Sequence, residues 1–328
     1  MKPTNFAKHL TGFLSAYLPG QQGLSVNTIK SYRDSFVLFL AFCRNVKGLR
    51  IEKFTLSQFD GNLVVDFLDW LETERGNTER TRNQRLSALH AFCLYVQAEE
   101  PEALLQCQQI LSISSKRYIK PHINYLSEQT LRDIFARPDL NTQKGRRDLA
   151  IMSILYDTGA RVSELISLKV RDVRLDEFPI VQLCGKGNKT RQVPLMQKTA
   201  AMLQNYLVEN KLNTPQTLDS PLFFNSKKER FSRPGITYIL KKYSDDSKIS
   251  PHVMRHTKAM HLLQAGVNIV YIRDILGHVD LKTTEVYARA DTEMKRQAMK
   301  NVYKDLTPPT TPNWNNDTGL MEWLHDLT

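Results

Sequence analysis

A chain of 328 residues with 41 % hydrophobic and 24 % charged positions has an ordinary soluble, globular balance and is too long for one small core, so two domains are expected. The net charge of +11 points to a polyanionic partner, with nucleic acid ahead of a membrane surface. Cys43, Cys93, Cys107 and Cys184 are far apart and form no CxxC pair, which disfavours a zinc ribbon and a disulfide scaffold. The N-terminus lacks the apolar core of a secretory signal, and no stretch reaches the ~18 apolar residues of a spanning helix. A cytoplasmic protein with no membrane partner is expected, with Cys43, Cys93 and Cys184 as buried thiols among apolar neighbours.

The first third reads as helical. In "SVNTIKSYRDSFVLFLAFCR" a polar cap, Ser25 or Asn27, precedes a stripe of Ile29, Tyr32, Phe36, Phe39, Leu40 and Cys43, while Lys30 and Arg33 fall mostly off it. "GNLVVDFLDWLETERG" gives a second helix, stopped by Gly76. "NTERTRNQRLSALHAFCLYVQAEEPE" gives a third, capped by Asn77 or Thr78 and closed by Pro101, with Leu86, Leu89, Phe92 and Val96 inward. Its first turns carry Arg80, Arg82 and Arg85. These form either a solvated face or a helix end that contacts phosphates.

A polar, basic stretch around Pro121 follows, with Lys116, Arg117 and Lys120. The spacing predicts a helical domain over 1–112, a linker over 113–124, a second domain over 125–305 and a Pro-rich spacer with a terminal helix over 306–328. The linker lysines and arginine either track a nucleic-acid backbone or serve solubility.

The second domain opens with a helix capped by Ser127 and continues through "GRRDLAIMSILYDTGARVSELISLKVRDV". "PIVQLCGKGNKTRQVPL" predicts a strand–turn–strand. Helices follow at Gln197–Glu209, 233–243, Pro251–Gln264, Ile269–Leu276, 283–288 and 291–303. The fold class is therefore mainly α: a helical N-terminal domain and a mostly helical second domain with a small antiparallel sheet. The tail "GLMEWLHDL" lies beyond "TPPTTP" and presents Leu320, Met321, Trp323, Leu324 and Leu327. So short an apolar helix is not stable alone, so it docks either on its own domain or on a neighbouring copy.

His252 and His256 in "PHVMRHTKAMHLL" are four apart, as zinc-binding pairs are, but Val253 stands where a metalloprotease needs Glu and Arg255 would repel a cation. No metal and no cofactor are expected. "GKGNK" lacks the spacing of a phosphate-binding loop, and there is no GxSxG elbow.

An anion site accounts for more. Arg161 and Arg255 can present forked donors to one phosphate. Lys186 on the turn can deliver a proton, and His252 and His278 can exchange hydrogen bonds near neutral pH. The Tyr287 hydroxyl can attack phosphorus and hold it covalently. Each has a plainer alternative: Arg161 as a helix cap, His278 as a C-cap donor, Tyr287 as packing.

At these residues the sequence resembles the tyrosine recombinase (phage integrase) family, especially its Xer-like bacterial members. "DTGARVSELISLKVRDV" is similar to the family's first box and "GKGNKTRQVPL" to its β-hairpin. "HVMRHTKAMHLLQAGVNIVYIRDILGHVDLKTTEVYA" is similar to its second box. The resemblance covers about 125–303 densely and the N-terminal part, a SAM-like core-binding domain, in layout only.

It implies that Arg161 and Arg255 clamp the scissile phosphate and that Lys186, with Lys189 as a weaker rival, protonates the leaving 5′-hydroxyl. It further implies that His252 assists proton transfer with Tyr287, that His278 hydrogen-bonds the phosphate, and that Tyr287 is the nucleophile of a 3′-phosphotyrosyl intermediate. Glu164 and His256 become supporting groups. Lys30, Arg33, Arg80, Arg82, Arg85, Lys116, Arg117 and Lys120 become DNA contacts. The implied partners are double-stranded DNA with paired recombination sites and three further copies of the chain in a homo-tetramer, with accessory proteins left open. The two domains would close as a C-shaped clamp and exchange strands through a Holliday junction.

Integration, excision or transposition of a mobile element is the expected role, with chromosome or plasmid dimer resolution as the alternative. A catalytically silent DNA-binding regulator, a type IB-like topoisomerase and a zinc hydrolase are rival readings. Arg289, where many relatives carry His, and Val253–Met254 depart from the family pattern away from this chemistry.

Overall fold

The computed structural model describes residues 2–118, 123–185, 187, 189–278, 282–290 and 318–326. Lys120 and Lys186, both named above, lie outside the described residues, as does the helix expected at 291–303. The chain divides into two compact units, Met1–Pro121 and His122–Thr328.

The first unit is all helix: α1 Asn5–Gly12, running into a wider π-helical stretch Phe13–Gln21 that contains Pro19, then α2 Val26–Asn45, α3 Gly61–Thr73, α4 Glu79–Glu99 and α5 Leu104–Leu111. Ser25, Asp60 and Thr78 cap α2, α3 and α4 by accepting the backbone N–H three residues on, which satisfies donors that have no partner within the helix. Phe92 of α4 is the hub of the core. Its ring lies 5.6, 5.4, 5.1 and 5.8 Å from those of Phe6, Phe13, Phe36 and Phe59, all near edge-on, the arrangement that aromatic quadrupoles favour. Cys43, Cys93 and Cys107 are buried in this core.

Two corrections fall here. Helices α1 and α5 were not expected; Pro101 ends α4, but it also starts a short 3₁₀ turn that leads into α5. Arg82 is 5 % exposed, and its Nη1 donates to the Ser114 carbonyl at 3.2 Å. A guanidinium so buried and bonded to its own chain is not free to reach a phosphate, which counts against the DNA contact expected of Arg82. Arg85 is half-buried and donates to Ser35 Oγ at 3.0 Å, whereas Lys30, Arg33, Arg80, Lys116 and Arg117 are exposed.

The second unit contains α6 Glu128–Ala136, α7 Gln143–Thr158, α8 Val162–Ser167, β1 Val173–Arg174, β2 Ile180–Cys184, β3 Thr190–Pro194, α9 Gln197–Glu209, α10 Arg233–Lys242, α11 Pro251–Gln264, α12 Ile269–Leu276, α13 Lys282–Ala290 and α14 Thr318–His325. The strands form one antiparallel sheet in the order β1-β2-β3, with Val181 opposite Val193 and Cys184 opposite Thr190. Alternation sends Val181 and Leu183 inward and leaves Cys184 exposed, so the burial expected of Cys184 is corrected; a β2 residue one step out of phase with the core must face solvent.

Helix α7 is buried along most of its length and packs on α9 and α11. It stops at Gly159, whose φ of +57° is left-handed and which has no room for a Cβ, 2.6 Å from Leu276 Cδ2. This stop aims Ala160 and Arg161 into the start of α8. Among the described residues no helix is long and apolar enough to cross a membrane.

Candidate active site

Four segments meet: the α7–α8 turn with Arg161 and Glu164, strand β3, helix α11, and the end of α12 with α13. Arg161 is the N-cap of α8. Its backbone N–H donates to Glu164 Oε2 at 2.8 Å and its Nη1 to Glu164 Oε1 at 2.9 Å. Glu164 is 2 % exposed. Burial alone would push its carboxyl up. Hydrogen bonds from Arg191 and from the Arg161 backbone, together with the Arg191 charge, outweigh that and hold it below the usual carboxylate range.

Arg191 on β3 was not among the expected site residues. It donates Nη1 and Nη2 to the two oxygens of Glu164 at 3.0 and 2.8 Å, and Nε to the Ile275 carbonyl at 2.8 Å. The signal that could have found it is the strand period: the phase that points Val193 inward also points Arg191 inward.

The last carbonyls of α12 have no partners within the helix. Three arginines supply them. Arg191 serves Ile275, Arg255 Nη2 serves Leu276 at 2.7 Å, and Arg161 Nη2 serves Gly277 at 3.2 Å. Arg255 also donates Nη1 to the Gly159 carbonyl at 2.7 Å, and it is 3 % exposed. Burial and the nearby Arg161 charge lower its pKa to about 10. A cluster of guanidinium groups around one helix end, with a single carboxylate among them, is an anion-binding arrangement.

Tyr287 on α13 is 3 % exposed. Its hydroxyl lies 2.8 Å from His256 Nδ1. Burial raises its pKa, and the charges of Arg255 and Arg161 pull the other way without cancelling the rise. His256 is pushed down to about 4 by burial, by His252 and by Arg255. In the tautomer of the neutral imidazole that carries its hydrogen on Nε2, Nδ1 accepts the bond and the protonated tyrosine donates it. The His252 ring sits 4.0 Å from the His256 ring and is exposed. The resemblance implies that His252 assists proton transfer with Tyr287; the histidine in hydrogen-bond contact with the Tyr287 hydroxyl is His256, one turn further along α11.

His278 follows the left-handed Gly277. Its Nδ1 lies 2.8 Å from Thr284 Oγ1, and its ring runs nearly parallel to that of Tyr287 at 6.4 Å. Burial and the charges of Arg255, Arg161 and Arg191 depress it to about 4. Thr284, fully buried, was also not expected. His261 belongs elsewhere: it bridges Tyr156 Oη at 2.9 Å and the Leu126 carbonyl at 3.0 Å. Arg161, Glu164, Arg255, His256, His278 and Tyr287 are therefore brought together, His252 borders them, and Lys186 lies outside the described residues. Among the described residues no group of three His, Cys, Asp or Glu side chains is placed to hold a metal ion.

A family model described as "Phage integrase family" matches residues 124–294, and one described as "Phage integrase, N-terminal SAM-like domain" matches residues 10–100. The chain is 36 % identical to the provisionally named integrase/recombinase y4rC of Sinorhizobium fredii, over 99 % of both chains. It is 31 % identical to the tyrosine recombinase XerD of Listeria monocytogenes, over 89 % of this chain and 96 % of that one. Among solved structures, the XerH site-specific recombinase bound to palindromic difH substrate has the same fold, with a TM-score of 0.66, 20 % identity and coverage of 85 % and 81 %.

Proposed function

The chain belongs to the phage integrase family as an Xer-like tyrosine recombinase that cuts and rejoins DNA, and from that premise we propose a mechanism and a role. Arg161 and Arg255 bind the scissile phosphate and neutralise the charge that builds at phosphorus. Tyr287 attacks. The P–Oη bond forms as the bond to the 5′-oxygen breaks, leaving a 3′-phosphotyrosine. The phenolic proton passes to His256, with the His252 ring edge-on against it at 4.0 Å, and Lys186 protonates the 5′-oxygen. His278 adds a hydrogen bond to the phosphate, and Glu164 orients Arg161. The phosphotyrosine conserves the bond, so a 5′-hydroxyl from a second duplex can reverse the step.

The observation that carries this reading is the Tyr287 hydroxyl, buried, 2.8 Å from His256 and within the field of Arg161 and Arg255. Four copies on two sites, working through a Holliday junction with each chain clamped around duplex DNA, complete the proposal. The apolar tail from Gly319 packs on the next copy. Incubation with nicked fragments of host genomic DNA should trap a covalent protein–DNA adduct that Tyr287→Phe loses. No adduct from any fragment would favour a silent DNA-binding regulator.

The role proposed is movement of a mobile element. Its support is that the integrase-named relative matches over 99 % of this chain and XerD over 89 %. The XerD likeness favours dimer resolution as the second reading. Mapping the trapped fragments separates them: sites flanking the gene support mobility, and a single distant chromosomal site supports resolution.

A further inference from the structure

We propose that Arg191 is a positioning residue of the cleavage reaction: it ties the Glu164 carboxylate to the C-terminal turn of α12 and so sets both Arg161 and His278 toward the phosphate. The inference rests on the phosphate reading of the site given above.

Three observations converge on it. First, Arg191 places all three of its nitrogens on the site's frame, two on Glu164 and one on the Ile275 carbonyl. Its guanidinium fork matches a carboxylate in a way that the point charge of lysine cannot. Second, Glu164 is shared. The same Oε1 accepts from Arg161 Nη1 at 2.9 Å and from Arg191 Nη1 at 3.0 Å, so Arg191 fixes the group against which Arg161 is oriented. Third, Arg191 lies directly under the turn that carries His278. A Cβ at Gly277 would stand 2.7 Å from Arg191 Nη1 and 3.0 Å from its Cδ and Cζ. The turn has been built around this side chain, with the left-handed Gly277 supplying the space.

The chain of contacts runs β3 to Glu164 to Arg161 on one side, and β3 to Ile275 to His278 on the other. Arg255 holds the middle carbonyl of the same turn. Removing Arg191 frees one end of a three-arginine arrangement while leaving Arg161 and Arg255, the phosphate donors, in the chain. The charged groups that face Glu164 are Arg161 from its own turn, Arg191 from β3 and Arg255 from α11. With Arg191 gone, burial acts on Glu164 against fewer opposing charges, and its proton affinity rises.

The test uses full-length protein and a nicked duplex recovered by Tyr287-dependent capture. Single-turnover cleavage is measured at saturating DNA, beside DNA affinity, thermal unfolding and the pH–rate profile. Arg191→Met and Arg191→Lys should each slow cleavage by about tenfold to a hundredfold, the scale of a misplaced catalytic group, with DNA affinity unchanged. In Arg191→Met the acid limb of the profile should move to higher pH. In Arg191→Lys, which keeps the charge and loses the fork, it should stay near its original place. Adding Glu164→Gln to Arg191→Met should cost little more, since both act through one pair.

Wild-type rates in the folded variants would overturn the proposal. So would a rate loss that tracks only the fraction unfolded with no shift of the acid limb. Should Arg191→Met not fold, Arg191→Lys alone decides on its rate. Full activity in Arg161→Lys and Arg255→Lys would sink the phosphate reading itself, whereas loss there with full activity at position 191 sinks this inference only.

Discussion

At the scale of single residues, Tyr287 is held in the wrong protonation state for attack. Burial keeps its proton on, and the two arginines relieve that only in part. The group that receives the proton must therefore be in contact before DNA arrives, and His256 is: its Nδ1 is 2.8 Å away and its pKa of about 4 leaves it neutral from about that pH upward. A scissile phosphate would add negative charge beside it and make the protonated imidazole easier to form. We therefore expect His256→Asn to slow adduct formation by roughly 10²–10⁴-fold, the usual worth of a positioned proton acceptor, and His252→Asn to slow it less. Quench-flow or gel assays of the covalent adduct measure both. A larger loss at position 252 would return the role to His252. The sequence made the residue types of this site legible, because Arg161, Arg255, His278 and Tyr287 are the groups phosphoryl chemistry needs. It did not reveal which histidine touches Tyr287: two histidines four apart on one helix face are equivalent by period, and only the placement of α13 separates them. Arg191 stayed hidden because a charged residue in a hairpin reads as solvated until its strand phase is known.

At the scale of elements, the end of α12 organises the site. Its last two carbonyls and that of its cap, Gly277, are shared among Arg191, Arg255 and Arg161, so a helix C-terminus, the negative end of a peptide dipole, gathers the cations that a phosphate would use. The prediction concerns its stop signal. Gly277 and Gly266 both have positive φ, +63° and +78°, but only Gly277 has a neighbour where a Cβ would go. Gly266→Ala should cost the left-handed penalty alone, about 1–2 kcal/mol of stability, and leave cleavage intact. Gly277→Ala should cost at least as much in thermal unfolding and also lose cleavage, because the guanidinium of Arg191 must shift. Equal cleavage in the two variants would mean that the turn does not set the site. Most elements were legible in the sequence for reasons the structure shows. Ser25, Thr78 and Ser127 stand where helices begin and accept from the backbone, and the limits of Gln197–Glu209, Pro251–Gln264 and Ile269–Leu276 coincide with the periodic stretches. The missed helices α1 and α5 are eight residues each, too short for period to speak, and tertiary packing of Phe6 and Ile110 forms them.

At the scale of the whole molecule, the net charge of +11 supplies affinity without sequence information, and its use depends on which cations are free to reach phosphate. Arg80 and Arg82 lie two apart on α4 and divide on this point. Arg80 is exposed. Arg82 is buried, donating to the Ser114 carbonyl and, at 3.2 Å, to Asn83 Oδ1. Composition counts both equally; burial does not. Arg80→Ala should leave stability within about 0.5 kcal/mol, as surface changes do. It should also lower by about 0.9 the slope of log affinity against log salt, the share of one phosphate contact. Arg82→Ala should instead destabilise the first unit by about 0.5–3 kcal/mol, because it empties the place of a buried side chain and removes its bonds to Ser114 and Asn83, and leave the salt slope unchanged in protein that remains folded. Titration of a labelled duplex at several salt concentrations, beside urea unfolding, reads both quantities. The reverse pattern, with Arg82→Ala flattening the slope and Arg80→Ala costing stability, would put the DNA on the other face of α4. If Arg80→Ala left the slope unchanged, α4 would drop out of the DNA interface, and Lys30, Arg33, Lys116 and Arg117, which are also exposed, would be tested next.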